Sequence, residues 1–354
     1  MIPTIHIAPL FGGPSSDRDQ VDTAIARAAF DTGFMLVGDL PAEIPIASKQ
    51  LQELKRIFTL PPDTLRKLWR QKFAEDHRNV YRGWFPLQEG HPTYKEGIDM
   101  GPDVAYGDTV VDAGDPLREA TPVPDADSLP GWQAAAAAYY KAMERVGKML
   151  MRSIARGLGL DEHFFDAAFI GGVSTFRLIH YPPRTPEALA KMTDEKFWTE
   201  HNGRKAYLIG APHADSGLVT LLAQDGVSGL QALARDGSWI DVPPMDNTLV
   251  VNFGRLLERW TAGRIKATQH RVIGHGAERY SIPFFYEPNV DAVIAPLPLT
   301  GGDAAKAEAA DFAPFLYGDH VWVSTTKFVE FHGMEYLRPP RGLPTAKAER
   351  SQAI

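Results

Sequence analysis

The sequence predicts an α+β chain with a mainly β core: a helical layer first, a β-roll after it, and one more helix near the end. Three observations carry this reading. Between Gly131 and Gly157, Tyr139, Met143, Val146, Leu150 and Ile154 fall on one stripe at helical spacing, and Ala134 to Ala138 add high helix propensity. From Ser174 onward, short apolar runs alternate with Gly, Pro and Asp, the pattern of a sandwich or barrel made of many short strands. No internal repeat or low-complexity block interrupts either half, which points to one folded unit.

The elements follow in order. Thr4 to Ile7 is a short strand, closed by the turn-rich Gly12-Gly13-Pro14-Ser15-Ser16. A helix is expected from about Asp17 to Asp31, with Val21, Ile25, Ala28 and Ala29 at helical spacing. Phe34 to Val37 is a strand, Ala47 to Phe58 is helical, and Pro61-Pro62-Asp63 starts a third helix. Residues 78–130 show little periodicity, so they are expected to form a functional or mobile loop. Gly157 and Gly159 end the long helix. Strands are then expected at Thr175 to Tyr181, Leu218 to Leu222, Gly229 to Leu233, Thr248 to Phe253, Gln269 to Ile273 and Arg279 to Tyr286. A last helix runs from about Asp319 to Tyr336, before a Pro-rich tail.

Composition narrows the function. A chain of 354 residues can bury a large core. No apolar run reaches the roughly 18 residues that span a bilayer, and Met1-Ile2-Pro3-Thr4-Ile5-His6 lacks the basic and apolar regions of a secretory signal. The expectation is a cytoplasmic protein without a membrane partner. Cysteine is absent, which removes disulfides, thiolate metal sites and cysteine nucleophiles together. Any metal must rest on histidine, carboxylate and water. The net charge of -7, with no long basic run, disfavours nucleic acid and leaves small-molecule chemistry.

Pro212-His213-Ala214-Asp215-Ser216 is the first chemical signal. In an extended segment, residues i and i+2 project the same way, so His213 and Asp215 would offer one imidazole nitrogen and one carboxylate oxygen together. Such triplets also arise by chance. His270 lies 55 residues beyond Asp215 in an apolar, strand-like run. Taken alone it suits a core histidine as well as a ligand. Two histidines and one carboxylate cover one face of an octahedron and leave the other open, the arrangement of oxygen-activating Fe(II). Arg279 and Ser281 share one face of the following strand with Pro283 and Phe285. A guanidinium there calls for an acid, which would be either a ligand carboxylate or an internal salt-bridge partner.

These residues resemble the isopenicillin N synthase-like branch of the Fe(II)/2-oxoglutarate-dependent dioxygenases. The similarity runs through His213-Ala214-Asp215-Ser216-Gly217-Leu218-Val219-Thr220-Leu221, Gly229-Leu230-Gln231, Leu249-Val250-Val251-Asn252-Phe253-Gly254, Thr268-Gln269-His270-Arg271-Val272 and Arg279-Tyr280-Ser281-Ile282-Pro283. Ile2-Pro3-Thr4-Ile5, Thr32-Gly33-Phe34 and Arg82-Gly83-Trp84-Phe85-Pro86 extend it toward the N-terminus. The resemblance implies a double-stranded β-helix, or jelly roll. It implies His213, Asp215 and His270 as the catalytic iron ligands, Arg279 and Ser281 on the far carboxylate of 2-oxoglutarate, and Tyr181 as a further cosubstrate contact. The implied reaction consumes O2 and 2-oxoglutarate, releases succinate and CO2, and oxidises an unactivated C–H bond of a small molecule, most commonly by hydroxylation. Desaturation or cyclisation would use the same start. The alternatives are an Fe(II) oxidase of the isopenicillin N synthase type that needs no 2-oxoglutarate, or a non-catalytic binding protein on the same scaffold.

On this reading residues 1–120 form the N-terminal dioxygenase region, 121–173 a support helix and connector, 174–290 the jelly-roll core, and 291–354 the C-terminal helix and tail. Three features depart from the family. Gly254-Arg255 stands where Gly-Asp is common, Asp246-Asn247 replaces a Pro-Gly turn, and Tyr181 and His213 are 32 residues apart, more than in compact plant members. The extra segment, from about Thr185 to Lys205, is read as a lid, since both its ends lie near the proposed metal. Arg82, Trp84, Tyr94, Glu96, Phe328 and His332 are candidates for pocket walls or for plain packing. Asp225, Asp241 and Asn252 are read as turn or strand residues rather than ligands.

Overall fold

A computed structural model describes residues 2–87, 94–297, 299 and 312–343. The strands that build the site are, in chain order, β1 (Thr4–His6), β2 (Phe34–Gly38), β3 (Gly83–Phe85), β4 (Glu96–Met100), β5 (Thr175–Tyr181), β6 (Trp198–His201), β7 (Arg204–His213), β8 (Val219–Gln224), β9 (Leu230–Leu233), β10 (Trp239–Asp241), β11 (Leu249–Phe253), β12 (His270–Gly274) and β13 (Arg279–Tyr286). They pair into an eight-stranded sheet, β1-β2-β11-β8-β13-β5-β4-β3, and a five-stranded sheet, β10-β9-β12-β7-β6. With the curled sheets facing each other, the core is the expected double-stranded β-helix.

Alternation of side chains across each strand gives the large sheet two different faces. On its outer face Phe176, Leu178, Leu221 and Phe284 join a cluster with the long helix, Trp132–Gly157. All five residues of that helix's predicted stripe are buried. Its Gly147 is needed for contact: a Cβ there would stand 2.6 Å from the Tyr286 ring. Tyr140 donates to Ser174 O at 2.9 Å, tying the helix to the start of β5. On the inner face Ile179, Tyr181, Leu222, Val250, Phe34 and Leu36 meet Tyr207, Ile209 and Val272 of the small sheet in a second, separate cluster. The functional residues belong to this inner face.

Several elements differ from expectation. Residues ahead of the long helix supply four strands of the large sheet, so the N-terminal part is not only a helical layer. The aperiodic stretch at 78–130 contains β3 and β4. The second half of the expected lid is β6, hydrogen-bonded along β7, and Leu189, Met192 and Trp198 pack against the inner cluster. The helix expected over 47–58 is Ser48–Lys55, followed by a tighter turn at Arg56–Thr59. The last helix is only Tyr317–Thr325. It stops where Thr326 Oγ1 donates to Trp322 O, a local bond that competes with the helical ladder. The tail beyond Leu343 lies outside the described residues. Among the described residues, no helix is long and apolar enough to cross a membrane.

Candidate metal centre and cosubstrate pocket

His213 ends β7 and His270 begins β12, and the antiparallel ladder sets the two directly opposite each other. Their ring centres lie 4.4 Å apart. Asp215 follows two residues beyond the strand end, in a loop fixed from behind: Arg255 N–H donates to Asp215 O at 2.8 Å and Leu256 N–H to Ser216 O at 3.2 Å. This close approach requires Gly254, whose hypothetical Cβ would lie 2.2 Å from Gly217 O. The backbone N–H groups at the start of the short helix Arg255–Trp260 thus hold the loop that carries Asp215. Asn247, in the altered turn before β11, adopts φ 53°, as an Asx-type turn residue readily does.

One ligand atom from each of His213, Asp215 and His270 falls within 4.8 Å of the others. His213 Nδ1 is 2.8 Å from Ala211 O, and because a carbonyl only accepts, Nδ1 carries the proton and Nε2 keeps its lone pair. His213 Nε2 lies 3.7 Å and His270 Nε2 3.8 Å from Asp215 Oδ1. The other oxygen, Oδ2, is fully occupied: it accepts from Thr220 Oγ1 at 2.5 Å and Asn252 Nδ2 at 2.7 Å. One carboxylate oxygen is thus anchored and the other presented to both imidazoles. Burial opposes the charge of Asp215, but His270, His213 and the bonds from Thr220 and Asn252 outweigh it and hold the carboxyl below its usual range. Burial and the adjacent His270 push His213 down, against the pull of Asp215, toward the neutral form a metal requires. This donor set, two neutral nitrogens and one anionic oxygen around one point, fits Fe(II).

Farther along the inner face, Arg279 of β13 pairs in register with Tyr181 of β5, and Ser281 with Ile179. Arg279 is 2% exposed, and among the described residues none of Nε, Nη1 and Nη2 has a hydrogen-bond partner. The guanidinium carbon lies 5.4 Å from the centre of the Tyr181 ring, and the Asp225 carboxylate acts on it electrostatically without a hydrogen bond. A buried cation with every nitrogen unpaired fits a ligand carboxylate better than the internal salt bridge left open by the sequence.

The remaining candidates scatter. Arg82 is buried and donates to Thr175 Oγ1 and to the Val173 carbonyl, a structural role. Trp84 packs in the outer core, Glu96 bonds to His180, and His332 bonds to Lys327 O. Phe328 is exposed, and Tyr94 lies under Arg184. Asp225 accepts from Tyr280 N and Asp241 pairs with His201 and Gln231, both as strand or turn residues. Asn252 is a strand residue too, but it also anchors Asp215, which the sequence reading missed. Also missed was Asp99, whose carboxylate binds Arg70 and Arg177 on the inner face.

Comparison with known proteins identifies the family. The 2OG-Fe(II) oxygenase superfamily model matches residues 174–288. The 2-oxoglutarate-Fe(II) type oxidoreductase hxnY of Emericella nidulans is 32% identical over 313 residues, covering 84% of this chain and 82% of the relative. Isopenicillin N synthase of Streptomyces clavuligerus is 29% identical over 321 residues, 89% of this chain and 93% of its own length. A full-length Neurospora crassa protein solved with alpha-KG and 5-formyluracil superposes with a TM-score of 0.74 at 25% identity, over 92% of this chain and 96% of that one. With the triad, the curled sheets and a relative matched over most of both chains, this chain belongs to the 2OG-Fe(II) oxygenase superfamily, as an isopenicillin N synthase-like dioxygenase using Fe(II), 2-oxoglutarate and O2.

Proposed function

We propose that this enzyme hydroxylates an unactivated C–H bond of a small molecule, with His213, Asp215 and His270 as its iron ligands and Arg279 as the anchor of 2-oxoglutarate. The observation that carries the assignment is Arg279, a buried guanidinium with no hydrogen-bond acceptor among the described residues. When bound, Fe(II) with 2-oxoglutarate and O2 supplies the oxidising power, with succinate and CO2 released. The chain's own residues do the rest. Arg279 pairs with the carboxylate remote from the metal, Ser281 adds a hydroxyl beside it, and Tyr181 closes the wall. Asn252 and Thr220 keep Asp215 turned so that one oxygen faces the metal. The inner apolar cluster of Ile179, Leu222 and Val272 lines the space between the sheets and keeps water from the reacting carbon.

The test is a screen of metabolite pools for substrate-stimulated succinate formation under Fe(II) and O2, followed by product analysis. Hydroxylation predicts a product that has gained one oxygen atom from O2. A product that has instead lost two hydrogens would replace hydroxylation by desaturation or ring closure. Full activity without 2-oxoglutarate would move Arg279 from cosubstrate to prime substrate, as in the oxidase reading.

A further inference from the structure

A second group of charges lies on the inner face, bordering the triad. Asp99 of β4 stands opposite Arg177 of β5. Its carboxylate accepts from Arg177 Nε, from Arg177 Nη2 at 2.9 Å, and from Arg70, which also lies 3.5 Å from Glu330. Arg82, the next cation along, lies within electrostatic reach of both Asp99 and Glu119, and Glu119 accepts from the backbone N–H groups of Val80, Tyr81 and Arg82. Lys95 is left over. Its Nζ lies 5.8 Å from the centre of the Phe85 ring, the same distance as the Arg177 guanidinium carbon. Among the described residues no carboxylate comes within ion-pair distance of it. Burial and then the neighbouring Arg177 push its ammonium down to about 8, against the pull of Glu330 and Asp99. Among the described residues four cations, Lys95, Arg70, Arg82 and Arg177, thus share three carboxylates, Asp99, Glu119 and Glu330.

The surroundings place this surplus next to the chemistry. Asp99 occupies Nε and Nη2 of Arg177, leaving Nη1 on a side chain still 29% exposed. The guanidinium lies 5.3 Å from the Phe285 ring, and Phe285 pairs in register with Thr220, which anchors Asp215. Among the described residues the unmatched charge is single, and the walls beside it, Phe85 and Phe285, are apolar.

We propose that the prime substrate is a small monocarboxylate whose carboxylate pairs with Lys95 and Nη1 of Arg177, with its hydrocarbon part against Phe85 and Phe285. Asp99 is a positioning residue that holds Arg177 flat between the two rings. A dianion such as a phosphate ester would overcompensate the single surplus charge. This inference rests on the iron and cosubstrate assignment made above.

The test is calorimetric titration of Fe(II)-loaded protein, without O2 and saturated with 2-oxoglutarate so that Arg279 is occupied. The probes are a library of short aliphatic and aromatic monocarboxylates, each paired with its primary amide. We expect at least one acid to bind about tenfold or more tighter than its amide, the effect of one charge-assisted contact. Lys95→Met should erase that preference, and Lys95→Arg should keep it. Equal affinity for acid and amide throughout the library, or a preference that survives Lys95→Met, overturns the proposal. Succinate formation measured alongside separates the two readings. A protein that makes succinate but shows no acid preference loses this inference alone. One that binds acids through Lys95 but turns over without 2-oxoglutarate keeps it and loses the role given to Arg279.

Discussion

Arg177 and Arg279 project from neighbouring strands onto the same face of one sheet, and their surroundings are opposite. Arg177 is held by Asp99 and stays partly exposed, whereas Arg279 is 2% exposed with no acceptor on any nitrogen among the described residues. Removing a guanidinium from water without an anion costs several kcal/mol. The Arg177 pair has its compensation built into the chain, so removing Asp99 would disturb the scaffold. Arg279 feels Asp225 only at a distance and has no hydrogen-bonded anion among the described residues, which suits the proposed role of binding a ligand carboxylate. Asp215 shows both arrangements in one side chain, with Oδ2 satisfied by Thr220 and Asn252 and Oδ1 left for a metal.

The sharpest way to break this contrast is at the triad. Asp215→Ala should abolish both stoichiometric Fe(II) binding and succinate formation, and His213→Ala and His270→Ala should do the same. Metal analysis beside a turnover assay checks this, and full iron-dependent activity in His270→Ala would disprove the ligand set. Arg279→Ala comes next. Losing one member of a buried charge pair costs roughly 2–5 kcal/mol, so the apparent KM for 2-oxoglutarate should rise by about thirtyfold to several thousandfold while substrate affinity changes much less. Ser281→Ala should raise the same KM only by roughly tenfold, the worth of one hydrogen bond. Arg177→Ala, by contrast, should leave the cosubstrate KM near its original value. A KM for 2-oxoglutarate that responded to Arg177 and ignored Arg279 would reverse the comparison.

Asn252 tests the anchored half of Asp215. Asn252→Ala removes the 2.7 Å bond to Oδ2 and leaves the ligands in place. Partners of this kind typically contribute 10- to 100-fold in metal affinity, so Fe(II) binding should weaken by about that factor. Activity should return at high iron. An unchanged Fe(II) affinity would mean that Thr220 alone orients the carboxylate.

The triad was legible because two of its members are sequence neighbours and the third begins a clearly apolar strand. Arg279 and Ser281 were legible by simple alternation. Asn252 was not, since its amide reaches Asp215 only through the pairing of β11 with β8. The charged cluster was hidden for a related reason. Lys95, Asp99 and Arg177 come together through the β4–β5 ladder, and β4 and β3 lose their alternation to glycine. A Cβ on Gly97 would lie 2.7 Å from the Phe85 ring, and one on Gly83 would meet Leu68 O at the same distance. The hairpin of β6 and β7 did leave a signal. Asn202-Gly203, with φ of 52° and 72°, is the two-residue turn that favours tight hairpins. Its flanks, from Glu200 to Lys205, are charged and lack the apolar alternation of a strand.

The smallest expected effect on activity concerns the back of the metal loop. Glu287 is buried, accepts from Tyr317 OH at 2.5 Å, and packs so closely on Gly217 that no side chain would fit there. Burial raises its carboxyl to about 8, against the bonds from Tyr317 and from Leu218 N–H and with a further push from Asp215. In the unfolded chain the same group ionises near the ordinary glutamate value, so the folded state binds its proton more tightly. The stability this contributes is fully present below about pH 4.5 and is lost as pH rises through about 8. By linkage the loss is on the order of 5 kcal/mol across that window. Glu287→Gln keeps the shape and removes the titration. Denaturant unfolding of both proteins at stepped pH should therefore show wild-type stability falling relative to the variant between those limits, while Fe(II) affinity changes little. Parallel stability curves would mean that Glu287 is already ionised behind the loop, and that Asp215 faces a second negative charge rather than a neutral acid.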